Sequence, residues 1–252
     1  LFYSRRIGFV SDYYDTHPDS TVAAITIPTT SRLLNATKIS GRTKNGLGIG
    51  CFNAITGNTY ADAIDSEGMM KKVLVDPLTN FNVLVFDQAL KNNGYVTFTN
   101  TNVIRDATGR DANVANVLGY IPDKQQQYAG EGYIAVSTLL NKKSEGDVSD
   151  FTNGYLYRLA FRKIAGNFTF GLSHQAISPH YNTNDLGYLA INNQNAEEAA
   201  LNYDIYKPFG KWNEFHTENN LGYFYRNDNG AFSGANVNGN TYIVNTHYVG
   251  YF

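Results

Sequence analysis

The sequence predicts an all-β fold, a run of antiparallel strands of the transmembrane β-barrel type. Three observations predict it: apolar residues at every second position, turn dipeptides at hairpin spacing, and strands of barrel length. Tyr155, Tyr157, Leu159 and Phe161 alternate with Leu156, Arg158, Ala160 and Arg162. Phe168, Phe170 and Leu172 alternate with Thr169, Gly171 and Ser173. Successive side chains on a strand point to opposite faces, so each segment has one greasy face and one wetter face. The short Ile164–Asn167 connection makes a hairpin of the two.

Turn chemistry agrees. Asn45-Gly46 divides 38–44 from 47–57 and predicts a type I′ turn, whose twist suits paired strands. Asn92-Asn93-Gly94, Asn229-Gly230 and Asn238-Gly239 are further turn signals. About 12 strands follow: 38–44, 47–57, 80–90, 94–105, 112–120, 130–141, 153–163, 168–177, 186–192, 199–207, 214–226 and 240–252. Several run past the usual soluble strand of about 5–6 residues and reach the roughly 9–11 that span a bilayer. Short and long connections alternate, with 58–79 and 142–152 long, as in barrels with short periplasmic turns and longer external loops. Residues 1–35 read as a lead-in or plug-like segment and 36–252 as barrel strands, with more strands expected in a larger barrel.

Composition narrows the function classes. The 252 residues carry 17% charged and 14% aromatic side chains and a net charge of −2. Soluble domains carry roughly 25% charged residues. No Lys/Arg cluster is present, which argues against nucleic acid. The single cysteine, Cys51, excludes an internal disulfide and a cysteine zinc site. No apolar stretch approaches the roughly 20 residues of a membrane helix, a test to which barrel strands are blind. No signal peptide is visible at Leu1. A soluble β-sandwich or solenoid is the competing architecture; it needs an apolar interior and a polar outside, whereas a membrane sheet must close so that every backbone polar group is paired.

The candidate site residues are arginines. Arg5-Arg6 reads as an anion-binding pair in a lumen, or as an ion-paired pin for the lead-in. Arg42, Arg158 and Arg162, with Arg105 and Arg110, read as lumen-facing charges that tune selectivity or merely solvate the wall. Tyr95, Tyr133, Tyr155, Tyr188, Tyr223, Tyr242 and Tyr248 are candidates for an interfacial girdle. Tyr120, Tyr128, Tyr181 and Trp212 fall in or near loops, where they stack on sugars or pack. His17, His174, His180, His216 and His247 lack metal-ligand spacing, so no metal and no cofactor is expected. Asn227-Asp228-Asn229-Gly230 lacks the closing glutamate of a calcium loop and reads as a turn. Gly46-x-Gly48-x-Gly50 precedes no helix and is no nucleotide loop. Ser4, Ser137 and Ser173 lack a nucleophile-elbow context, and no carboxylate pair suggests glycoside hydrolysis. No catalytic constellation is visible, and an enzyme is not expected.

Phe2-Tyr3-Ser4-Arg5-Arg6-Ile7-Gly8, Ala36–Gly50, Asn53-Ala54-Ile55-Thr56, Asp76–Phe81 and Asn100–Arg105 form ordered blocks. In them the chain resembles the C-terminal barrel region of Bacteroidetes outer-membrane proteins of uncharacterised function. Those proteins carry an N-terminal domain similar to a family-nine carbohydrate-binding module, which this sequence lacks, and their barrel region tends to run longer. The resemblance implies a bacterial outer-membrane location and contact with membrane lipid. It implies a role as anchor or pore, linked to glycan handling or a larger envelope complex with other envelope proteins. The alternatives are a non-conducting scaffold subunit and a soluble β-rich binding module. The terminal aromatic Phe252 resembles the assembly signal of outer-membrane barrels.

Overall fold

The computed structural model describes residues 7–106, 109–142 and 150–245 and the backbone of 250–251. Fifteen strands form two antiparallel sheets. The small one joins β1 (Val22–Thr26), β4 (Thr59–Asp65) and β5 (Met70–Asp76) in the order β1-β4-β5. The large one holds β2 (Leu33–Arg42), β3 (Leu47–Thr56), β6 (Thr79–Ala89), β7 (Tyr95–Arg105), β8 (Asp111–Pro122) and β9 (Tyr128–Asn141). It continues through β10 (Asp150–Lys163), β11 (Phe168–Ile177), β12 (Gln194–Ile205), β13 (Trp212–Arg226), β14 (Phe232–Asn245) and β15 (Gly250–Tyr251). Within the large sheet each strand pairs with its sequence neighbour, except that β3 pairs with β6, the strands of the small sheet intervening in sequence. Among the described residues β2 and β15 remain the two edges, so the sheet does not close into a barrel. Among the described residues helix is confined to one turn, α1 (Tyr13–Thr16), and a single 3₁₀ turn at Lys91–Asn93.

The predicted alternation of connections takes physical form. One end of the large sheet carries the tight turns 43–46, 90–94, 123–127 and 164–167. The other carries 57–78, which holds β4 and β5, and the connection 178–193, but also the short connection 227–231, so the alternation holds only in part. The tight Asn45-Gly46 turn is present, but only Gly46 has positive φ, at 83°. A type I′ turn needs two such residues, so the turn is instead a four-residue loop closed by its glycine, with Gly46 N–H bonded to Thr43 O. Asn238-Gly239 lies inside β14, not in a turn. The predicted strand at 186–192 is absent; this stretch belongs to the 178–193 connection. The predicted long loop 58–79 contains β4 and β5, and β1 lies within the lead-in, so the small sheet went unseen in the pattern.

The two faces of the large sheet differ. One face carries Ile49, Phe86, Phe98, Val117 and Ile134 in one cross-strand row. A second row runs Phe161, Leu172, Ala199, Leu221 and Val237. These side chains are open to the surroundings: Leu159 is 54% exposed, Leu172 52% and Val237 78%. Aromatic rings border the band. Toward the tight-turn end Tyr128 stacks on Phe161 at 5.7 Å, and Phe170 lies 6.1 Å from Phe161. Toward the other end Tyr155 and Tyr157 stand 6.2 Å apart, and Tyr223 and Tyr225 5.8 Å apart. Of the tyrosines expected in a girdle, Tyr155 and Tyr223 lie at the border of the exposed apolar band. Tyr95, Tyr133 and Tyr242 lie on the opposite face and Tyr188 in the 178–193 connection. Tyr248 lies outside the described residues.

The opposite, polar face carries Arg42, Asp87, Thr97, Arg158 and Gln175 at register positions that continue one another. Its long-loop end is covered. Residues 178–193 fold back across it and bury Leu186 among Ala54, Phe81, Val103, Ala112 and Leu139. Tyr181 packs with Ala135 and Ile177 in a second cluster. Asp76, 3% exposed, ties the lead-in to β5: it accepts from Ser11 N–H at 3.2 Å, Ser11 Oγ at 2.5 Å and Ser31 Oγ at 2.5 Å.

The small sheet is clamped by Lys71, whose Nζ lies 2.7 Å from Asp19. Lys71, Thr21 Oγ and Thr21 N–H together hold the Asp19 carboxyl down to about 2. A depressed carboxyl stabilises the fold above its ordinary range, and that contribution declines as pH falls toward the folded value. The Asp19–Lys71 contact is therefore expected to be intact at neutral pH and to weaken only as pH approaches about 2. Side-chain NMR of Asp19 checks this.

Candidate functional site

The site is the polar face, and β10 sets its centre. Alternation along β10 sends Arg158 and Arg162 to this face while Leu159 and Phe161 go to the other. Neighbouring strands supply carboxylates. Arg158 Nη1 lies 3.6 Å from Glu131 of β9, and Nη2 lies 3.5 Å from Glu198 of β12. Arg158 also donates to Ser173 Oγ at 3.1 Å, and Ser173 in turn donates to Glu198 at 3.3 Å. Arg162 lies 3.3 Å from the second oxygen of Glu131. Two guanidinium groups thus face two carboxylates in one balanced network. Partly exposed pairs of this kind add little stability singly, but they fix a hydrated wall.

Beside the network runs a groove of about 610 Å³, floored by Ala160, Gly171 and Ala200. Asn220, Asn236 and Asn238 stand on its far side. Asn202 Oδ1 is buried there without a partner among the described residues. Arg42 makes the same kind of contact farther along the face. It pairs with Asp87 and donates to Gly46 O at 2.7 Å, while Asp87 accepts Thr97 Oγ1 at 2.8 Å. Arg42, Arg158 and Arg162 therefore share one face, each beside a carboxylate. Arg5 and Arg6 lie outside the described residues.

At the long-loop end the polar face is latched. Arg105, 7% exposed, meets Asp185, 5% exposed, at 2.7 Å. Arg110 approaches the same carboxylate at 3.1 Å. Arg105 also donates to Arg110 O at 2.5 Å, and Lys142 donates to Arg105 O at 2.6 Å. Ser137 Oγ accepts Asn182 N–H at 3.0 Å. Tyr181 lies directly on Gly154, where a Cβ would fall 2.2 Å from Tyr181 N. Burial and the adjacent Tyr133 push the Tyr181 phenol above its ordinary range, so it stays neutral.

Glu131, Glu198, Asp185 and Gly154 were not singled out in the sequence, and Ser137 was considered only as a nucleophile without an elbow. Glu131 and Glu198 reach Arg158 through the pairing of β9 with β10 and of β10, β11 and β12 in turn, which spacing along the chain does not reveal. Asp185 left no signal, since its partners lie 80 and 75 residues away. Of the loop aromatics, Tyr120 and Tyr128 sit on β8 and β9, Trp212 opens β13, and Tyr181 is buried. Among the described residues no three His, Cys, Asp or Glu side chains group as a metal site, and no helix is long and apolar enough to cross a membrane.

No curated protein and no solved structure matches the chain. One family model does, over residues 1–251. The chain belongs to the family of the domain of unknown function DUF5916.

Proposed function

We propose that the chain is part of an outer-membrane β-barrel protein that acts as a membrane anchor or pore, and is not an enzyme. The observation that carries this reading is the sorting of the large sheet. One face is an exposed apolar band bordered by aromatic rings, and the other is polar, charge-balanced and partly filled by the chain's own loop. Barrels in lipid have an outward apolar band about 25 Å tall, aromatic girdles and a polar interior. From Tyr128 to Val136 the outward positions of β9 span nine residues. At about 3.3 Å per residue and a tilt near 40° this covers roughly 20 Å. Closure requires β2 to find a strand partner, since an open edge is excluded from lipid.

In this reading the apolar face meets outer-membrane lipid, and Arg42, Arg158 and Arg162 line a lumen. The resemblance to Bacteroidetes envelope proteins with a carbohydrate-binding module extends the reading. Glycans and other envelope proteins then become its partners, in glycan handling or a larger complex. The in-folded 178–193 loop favours a second reading, a narrowed or non-conducting scaffold. Single-channel recording decides between them: steady conductance supports the pore, and its absence supports the scaffold. Folding into vesicles tests the membrane reading itself. Leu159→Arg, within the exposed apolar band, is expected to weaken insertion by about 2–4 kcal/mol. Thr169→Arg, on the polar face, is expected to leave it unchanged. Equal effects of the two contradict the reading.

A further inference from the structure

One carboxylate stands apart. Among the described residues, Glu197 is the one charged side chain of the apolar face that is not at a strand end. Asp111 opens β8 and Lys163 closes β10. A charge on a surface of this kind is costly unless it is partnered. Glu197 is held by two side chains of neighbouring strands. His174 Nδ1 lies 2.7 Å from its Oε1, and Tyr225 OH donates to the same oxygen at 3.1 Å. Tyr157 OH lies 3.0 Å from His174 Nε2. The hydrogen bonds join into one chain when the imidazole donates through Nδ1 and accepts at Nε2. The Glu197 carboxylate stays half open to the surroundings, and its Oε2 has room for a cation.

Two features define what would complete it. Tyrosines surround this group: Tyr223 of β13 is the register partner of Glu197, Tyr225 donates to it, and Tyr157 of β10 lies beyond it against His174. Aromatic faces beside a carboxylate attract ammonium groups. Next to Glu197 lies a trough of about 1010 Å³ that also includes His174. Its floor is Gly130, Gly132 and Ala199, and its walls include Leu159, Leu172 and Leu221. The glycines leave room: a Cβ at Gly130 would meet nothing within 4 Å. A polar, anionic, ring-lined end joined to an apolar trough has the shape and chemistry of an amphiphile with a cationic head.

We propose that Glu197, with Tyr157, Tyr223 and Tyr225, binds the ammonium of a phospholipid headgroup whose acyl chain lies in this trough. The proposal rests on the reading that the apolar face meets lipid, and deepens it by naming the lipid class. The test uses the full chain in detergent and native mass spectrometry with phosphatidylethanolamine and phosphatidylglycerol. The expected result is preferential retention of phosphatidylethanolamine, lost roughly tenfold in Glu197→Gln. Leu172→Trp, which fills the trough, is expected to lower retention of both lipids. Insertion into vesicles of phosphatidylglycerol alone serves as the control for folding and for the membrane reading. Its failure in the wild type counts against the barrel, not the headgroup site. Equal retention of both lipids by the wild type overturns the proposal. So does a preference that survives Glu197→Gln, or a self-association lost in that variant without any lipid preference.

Discussion

Asp185→Asn is expected to release the 178–193 loop from the polar face at a cost of about 3–5 kcal/mol. Arg105 and Asp185 are both sealed from solvent, at 7% and 5% exposure. Removing one member of a buried pair leaves the other charge without compensation, which is worse than having no pair at all. Arg110 is not a substitute, because it is a cation on the same carboxylate. The loop's other ties are Leu186 in one apolar cluster, Tyr181 and Leu189 in the other, Asn182 on Ser137, and, at its two ends, Ser178 on Tyr155 and Asn193 on Asp228; none of them answers the stranded guanidinium. Hydrogen exchange across 178–193 checks the result, with faster exchange expected there and unchanged protection in β11 and β12. The double variant Arg105→Met with Asp185→Leu is expected to recover much of the loss, since apolar replacements of matched size avoid the stranded charge. Unchanged loop protection in Asp185→Asn contradicts the latch.

Gly154→Ala is expected to lift the same loop by sterics alone. The added Cβ would lie 2.2 Å from Tyr181 N, 2.3 Å from its Cα and 2.4 Å from the His180 carbonyl carbon. All three are backbone atoms, so no side-chain rotation relieves the clash. Overpacking of this kind costs about 1–3 kcal/mol or more. Here relief requires the loop to move off β10, which also breaks the Asn182–Ser137 hydrogen bond. Gly132→Ala is the matched control on the neighbouring strand, where the nearest atom is Leu159 Cδ2 at 3.6 Å. Thermal unfolding and loop exchange are expected to change in the first variant and not in the second. Equal behaviour of the two would show that the loop does not rest on Gly154.

The large sheet was legible in the sequence wherever one face is apolar and the other polar. The β10–β11 hairpin shows why: its period of two is uninterrupted, and its turn is short. Legibility failed where burial is two-sided or supplied from afar. The stretch 186–192 reads as alternating, yet Leu186 is apolar because it plugs a cluster on β3, β6, β7, β8 and β9, not because it lies on a strand. β4 and β5 are short and pair with β1 and each other, so length gave no hint of them. Asn238-Gly239 has turn composition, but register with β13 runs straight through it. The arginines of the site were visible as residues on alternating strands. Their carboxylate partners were not, because pairing register, rather than spacing along the chain, brings Glu131 and Glu198 to Arg158.

The account depends on the two sides of one sheet meeting different solvents. Spin labels placed singly at positions 158 to 162 of the full chain, inserted in lipid vesicles, measure this directly. Collision with lipid-soluble oxygen is expected to peak at 159 and 161, and collision with a water-soluble nickel chelate at 158, 160 and 162. A uniform response to the aqueous reagent at all five positions would contradict it.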